Sequence, residues 1–146
     1  MPTISIRIDL QPKRVVVTMR GEVSPQDVAV ALEMLFDESH LSAGVHLLWD
    51  LRNAQISVLP KEIPSIISAV SERLSGRWRG RTAVVTNRDV DYGTVRVAQV
   101  YLEDLRIELM VFRAMAEAEQ WLAGEGDYQS QWPATRPDRD NDTRAG

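Results

Sequence analysis

The sequence has no cysteine in its 146 residues, which excludes disulfides, thiolate metal sites and cysteine nucleophiles. Histidine is nearly as scarce. His40 and His46 are the only two, and neither has a partner at a ligand spacing such as H-x-x-x-H. A lone imidazole needs converging groups to bind metal or act as a base, so structural roles are expected for both. His40 follows the first predicted helix, where a cation suits the C-terminal end. No metal and no cofactor are expected. No run of eighteen apolar residues occurs, so no membrane-spanning helix is expected. Met1-Pro2-Thr3 leads straight into a strand pattern without a basic and apolar leader, which predicts a cytoplasmic protein. With a net charge of −4, the chain lacks the basic surface of a general nucleic-acid binder. Walker, G-x-S-x-G, H-E-x-x-H and EF-hand motifs are missing. Gly124-Glu125-Gly126 follows a helix end rather than a strand, which rules out a dinucleotide fingerprint. An enzyme is not expected.

What is present is apolar periodicity. Apolar residues make up 44% of the chain, enough for one core at a usual domain size of ~100–150 residues. Ile4, Ile6, Ile8 and Leu10 alternate with Ser5, Arg7 and Asp9, the pattern of a strand with one wet face. Pro12 and Lys13 turn the chain into a β-branched second strand from Arg14 to Met19, ended by Gly21. So short a connection predicts an antiparallel pair. Ser24-Pro25-Gln26-Asp27 supplies an N-cap, a proline at N1 and an acid at N3. Val28, Ala31, Leu32, Leu35 and Phe36 then form one helical stripe. Val45 to Leu51 predicts a third strand, with Leu47, Trp49 and Leu51 opposite His46, Leu48 and Asp50. A helix from about Lys61 turns Ile63, Ile66, Ile67, Val70 and Leu74 inward; Pro64 is tolerated in its first turn. Thr82 to Thr86 is a fourth strand. A helix from Tyr92 to Leu105 buries Val95, Ala98, Leu102 and Leu105. Ile107 to Phe112 is a fifth strand, and Met115, Ala118 and Leu122 stripe a last helix.

The order β-β-α-β-α-β-α-β-α predicts an α/β fold, a mixed, mostly parallel five-stranded sheet with four helices. The expected layout has sequential strand order and helices stacked on one face, leaving the other face half covered. Residues 1–123 form the expected domain. Residues 124–146, charged and proline-broken through Arg136-Pro137-Asp138-Arg139, form an expected mobile tail. Trp132 is its one residue suited to docking on a surface groove. Phe112 and Trp121 are expected core anchors.

Ligands in open α/β sheets gather at the carboxyl ends of strands. Asp50, Arg52 and Asn53 lie at that end of the third strand, Asn87, Arg88 and Asp89 at that of the fourth, and Arg113 at that of the fifth. The competing account of Asp50 is a carboxylate that ties down the next loop. Arg73, Arg77, Arg79 and Arg81 surround Trp78, a grouping able to bind phosphate or a nucleic-acid strand. The acidic balance of the chain favours a solvated loop instead, and no nucleic-acid partner is expected. Tyr92, Arg96, Gln99 and Glu103 share a narrow helical arc, with Arg96 in reach of Glu103 or Asp89. Gly93 costs a helix ~1 kcal/mol against alanine, which predicts a close neighbour within the chain, such as Trp121 or a strand, or a ligand at the helix start. Val97, Val100 and Tyr101 widen the apolar arc past its core-facing side. They predict a second contact surface, and a homodimer through this helix.

The run Tyr92-Gly93-Thr94-Val95-Arg96, then Val111-Phe112-Arg113, then Glu119-Gln120-Trp121-Leu122 resembles the SpoIIAA-like branch of the STAS family (sulfate transporter and anti-sigma factor antagonist). That branch carries a Tyr-Gly-x-x-Arg helix, a Val-x-Val-Phe-Arg strand and an Ala-x-x-Trp-Leu helix. The resemblance covers roughly Ile4 to Leu122 and implies the family's β-α superhelical layout. It also implies a mostly non-catalytic domain that binds proteins, and in some members nucleotides or apolar ligands. The branch is similar in turn to SEC14-type lipid-binding folds. Phosphorylated members of the family carry an Asp-Ser-Ser/Thr-Gly turn. Here the matching position is Val58-Leu59-Pro60-Lys61, without serine, threonine or glycine, and Ser57 is the nearest hydroxyl. A protein-binding regulatory module without that switch is therefore the first expectation. The rival is a small-molecule carrier or sensor, for an anion or an apolar ligand, at a strand-end pocket. The candidate contact residues are Asp50, Arg52, Asn87, Tyr92, Arg96 and Tyr101.

Overall fold

Alternation in the first two segments closes a hairpin. Thr3–Leu10 (β1) runs antiparallel to Lys13–Val23 (β2), with Ile4 opposite Met19 and Ile8 opposite Val15. The structure is a computed structural model that describes residues 2–10, 13–37, 45–74, 81–104 and 107–124. Helix α1 (Pro25–Asp37) starts as the sequence predicts. The Ser24 hydroxyl accepts from the Asp27 amide at 3.3 Å, and the Asp27 carboxylate accepts from the Ser24 amide at 2.8 Å. That reciprocal pair satisfies donors the first turn would otherwise leave open. Next come β3 (His46–Ile56), a single 3-10 turn (Pro60–Glu62), α2 (Ile63–Leu74), β4 (Arg81–Thr86), α3 (Asp89–Asp104), β5 (Glu108–Phe112) and α4 (Met115–Leu122).

The five strands lie in the order β1-β2-β3-β4-β5. All pairs after the first are parallel. Sequential order with right-handed crossovers puts successive connecting helices on one face, and α1, α2 and α3 stack there. They bury Val15, Val17, Met19, Leu47, Val84 and Val111 of the strands beneath Leu32, Leu35, Ile67, Val95 and Leu102. The expectation that all helices share this face fails at α4. This helix crosses to the other side and closes a second core, in which Ala118, Trp121 and Leu122 cover Val16, Leu48, Ala83, Val85, Met110 and Phe112. Among the described residues no strand follows α4, so no crossover rule holds it, and the apolar side chains on the second face need cover.

Two strands run further than the sequence predicts. β2 passes through Gly21, whose φ of 90° a side chain would resist. β3 continues to Ile56, pairing Ala54 with Gly21 and Ile56 with Val23. Between Thr18 opposite Asp50 and Arg20 opposite Asn53 the register shifts, β3 carrying one extra residue, which is a β-bulge. Asp50 is therefore in mid-strand rather than at the carboxyl end. From residue 125 on, the expected tail, with Trp132, lies outside the described residues, as do His40 and the stretch Arg77-Trp78-Arg79.

Trp121 has no solvent exposure, and its ring centroid is 5.9 Å from that of Phe112. Both expected anchors thus sit in the second core. Trp121→Ala should cost ~3–5 kcal/mol, read as a lowered urea midpoint. An unchanged midpoint would show that α4 does not dock there.

Candidate functional site

On the sheet face that α4 leaves open, Asp50 is engaged by its near neighbour. Its Oδ1 accepts from Arg52 Nε at 2.9 Å and from the Arg52 amide at 3.2 Å, and its Oδ2 accepts from Arg52 Nη2 at 2.9 Å. This two-pronged contact is the strong form of the arginine–carboxylate pair. It holds the Asp50 carboxyl below the usual range, against an opposing push from partial burial. Asn87, just past β4, donates through Nδ2 to the Arg52 carbonyl at 3.0 Å. Asp50, Arg52 and Asn87 thus form one hydrogen-bonded group, in which Asn87 pins the bulged part of β3 to the start of the next connection.

The start of α3 gathers a second group. The Tyr92 ring faces the guanidinium of Arg113 at 4.6 Å and that of Arg96 at 6.0 Å. Both distances are within cation–π range. Asp89 pairs with Arg113. Nearby is a carboxylate that sequence reading missed. Asp91 is 1% exposed; its Oδ1 accepts from the Ile56 amide at 3.1 Å, and an Arg88 nitrogen lies 3.8 Å from its Oδ2. It fastens the end of β3 to the first turn of α3, where a negative charge suits the helix dipole. An acid in the first turn of a helix was the available signal. Tyr101 belongs to neither group, being roughly 14 Å further along the helix axis at ~1.5 Å per residue.

The outward side of α3 carries four exposed apolar residues. Val90, Val97, Val100 and Tyr101 are 58%, 44%, 42% and 43% exposed; Val97 is seven residues from Val90, three from Val100 and four from Tyr101, which puts them on one helix surface. Gly93 lies among them. A Cβ added there meets nothing within 4 Å. The expected close neighbour of Gly93 inside the chain is therefore absent among the described residues, and the glycine leaves a notch in an exposed stripe.

The inward side of α3 borders a half-open apolar pocket of about 160 Å³ between the sheet and the three helices on that face. Met19, Trp49, Ile67, Val84, Ala98 and Leu109 are among its walls. None of the six candidate residues lines it. α2 packs against α1 and α3, and the space lies beneath that contact.

Further ion pairs among the described residues cross the open sheet face. Asp9 accepts from Arg7 at 2.8 Å and from Arg14 at 3.0 Å, and Arg14 reaches Glu119 of α4 at 3.0 Å. Hydrogen bonds from the two guanidiniums bring the Asp9 pKa from 3.8 to about 2. Arg81, predicted to belong to a basic loop, lies instead over the Trp121 ring at 5.2 Å and donates to the Trp121 carbonyl. His46 accepts through Nδ1 from the Arg81 amide at 2.9 Å, joining the starts of β3 and β4 in a structural role.

No protein-family model and no curated protein matches the sequence. Among solved structures, the chain is similar to an uncharacterised protein of the DUF3478 family with a SpoIIAA-like fold from Shewanella loihica PV-4. Identity is 15% over 83% of this chain and 93% of that one, with a TM-score of 0.57. A looser likeness links it to the anti-sigma factor antagonist SpoIIAA in its unphosphorylated form, at 10% identity over 84% and 99% of the two chains, with a TM-score of 0.45. The first likeness establishes a SpoIIAA-like, STAS-like fold; the second is too loose to add to it. Among the described residues, no helix is long and apolar enough to cross a membrane.

The pH dependence of stability follows from His46 and Asp9. Burial, then the charge of Arg81, hold His46 below its ordinary 6.5. The unfolded chain thus binds the proton more readily. The stabilisation is full above 6.5 and is lost as pH falls through the lowered native value. Asp9 contributes fully above 3.8, and its share is lost as pH falls towards about 2. Urea midpoints across pH should show both declines. His46→Gln should flatten the upper one and Asp9→Asn the lower; unchanged curves would contradict these assignments.

Proposed function

We propose that this chain is a non-catalytic STAS-like recognition module that docks a protein partner through the outward face of α3, with a second copy of the chain as one such partner. The recognition unit is residues 1–123, to which 124–146 are appended. The observation that carries the proposal is the exposed stripe of Val90, Val97, Val100 and Tyr101 around the notch at Gly93. Exposed contiguous apolar surface on a small domain marks a contact site, and tyrosine is a favoured anchor in such contacts. A helical glycine whose Cβ would meet nothing among the described residues lets another backbone approach closely. Tyr92 and Arg96 extend the stripe with a polar rim at one end.

A non-catalytic role is supported by how the carboxylates are used. Asp50 is held by Arg52, and Asp91 by the Ile56 amide. Neither lines the pocket between the sheet and α1–α3. Control through a phosphorylated serine turn is not part of the proposal, since Val58-Leu59-Pro60-Lys61 offers no hydroxyl.

Light scattering on the full chain should show a dimer at high micromolar concentration, and Tyr101→Glu should return it to monomer. A wild-type chain that stays monomeric removes the second copy as a partner. Native-lysate capture should recover a protein with wild type that is lost with Val97→Glu plus Tyr101→Glu. Equal recovery by both baits would refute α3 as the docking face.

A further inference from the structure

The stripe on α3 changes along its length, and its taper selects what fits it. Gly93, Val97 and Tyr101 follow one another at intervals of four, so they form one ridge of the helix surface. The ridge grows from no side chain, through valine, to a tyrosine, and all three positions are exposed. It is symmetric in position about Val97 and opposite in size at its two ends. The geometry points to a second copy of the chain as the occupant, docked with its α3 antiparallel and with the two-fold axis at Val97. Tyr101 of each copy then fills the notch at Gly93 of the other, and Val97 meets Val97. This rests on the docking function proposed above and adds the direction and register of the contact.

Direction follows from size and charge. A parallel copy sets Tyr101 against Tyr101 and leaves glycine facing glycine, a gap beside a crowded pair. An antiparallel copy crossing at about −50°, the common class when ridges of this spacing engage, lays large against small at both ends. Charge agrees. The N-terminal end of α3 gathers Arg88, Arg96 and Arg113. Of the acids there, Asp91 is buried and Asp89 is paired with Arg113. The C-terminal end carries Glu103 and Asp104, with no basic residue in its last turn. Antiparallel docking brings the acidic end of one helix to the basic end of the other and sets opposite dipole ends side by side. Complementary potentials of this kind fix register. Each copy offers the same patch, so the contact closes at two chains.

The chain has no cysteine, so single cysteines in the full chain report the register under mild oxidation. Val90 and Val97 are exposed, and replacing them leaves the core intact. A disulfide needs Cα atoms within ~7 Å. Val97→Cys, on the axis, should give a covalent dimer. Val90→Cys should not, because its two copies lie ~21 Å apart at ~1.5 Å per residue. Chains with Gly93→Cys mixed with chains with Tyr101→Cys should link to each other, and the other tyrosine–glycine contact of that pair stays native. Adding Tyr101→Glu to Val97→Cys should abolish the link; a link that survives reports random collision and overturns the proposal. Self-linking of Val90→Cys marks a parallel contact and overturns the antiparallel register while leaving α3 as the docking face. A wild-type dimer lost with Tyr101→Glu, but with no link through Val97→Cys, does the same. A monomeric wild type with no link in any variant overturns the second copy altogether, and capture from lysate then decides whether α3 docks another protein.

Discussion

Burial of β4 on both faces is the constraint on which the rest of the structure depends. Thr82 through Thr86 are all buried. Side chains alternate across a strand, so Thr82 and Val84 need cover on one side while Ala83 and Val85 need it on the other. The crossovers that make the parallel sheet deliver helices to one side only. The chain's last segment has to supply the second layer, and Trp121 makes it possible by filling that side beside Phe112. Arg81 then ties the start of β4 to the end of α4 through the Trp121 ring and carbonyl. Because α4 is short, eight residues, it leaves much of the second face open. The open part is where the sheet turns polar, with Arg7, Asp9, Arg14, Asp50 and Arg52 joined in ion pairs.

Much of this was legible in the sequence. Alternation in the first strand, the Ser24-Pro25-Asp27 start of α1 and the strand–helix rhythm carry local physics that tertiary context did not override. The exposure of Val97, Val100 and Tyr101 was legible too, because a helix has room for one core-facing stripe and these residues fall outside it. The side taken by α4 was not read, although a signal existed. Ala83-Val84-Val85 and Leu109-Met110-Val111-Phe112 are continuous apolar runs, the mark of strands covered on both faces. The ends of β2 and β3 were missed for the opposite reason. Arg20, Glu22, Arg52, Asn53 and Gln55 look like loop residues, yet they belong to strands whose outward face meets water, and the bulge at Arg52 breaks the alternation.

The candidate site was legible in parts. Asp50 and Arg52 meet because they are two apart on one strand, Asn87 reaches Arg52 because β3 and β4 are neighbours, and Tyr92 and Arg96 share a surface at a helical spacing of four. Asp91 was missed since its partner, the Ile56 amide, comes from a strand extension the sequence did not reveal. The pocket was beyond reading from sequence, because its lining joins residues of three helices and the sheet that no spacing relates. Gly93 was misread because a helix-breaking residue was assigned an internal neighbour, whereas its Cβ position is open.

α3 thus has two distinct apolar sides. One side of α3 closes an apolar space with Val95, Ala98 and Leu102; the other presents an apolar stripe interrupted by glycine. Gly93→Ala is the most direct measurement on the second side, with denaturation and self-association read on the same protein. The account predicts a chain stabilised by ~0.5–1 kcal/mol, since alanine suits a helix better and meets no neighbour, together with weakened association as the notch fills. A stabilised chain that associates as strongly as wild type would contradict it.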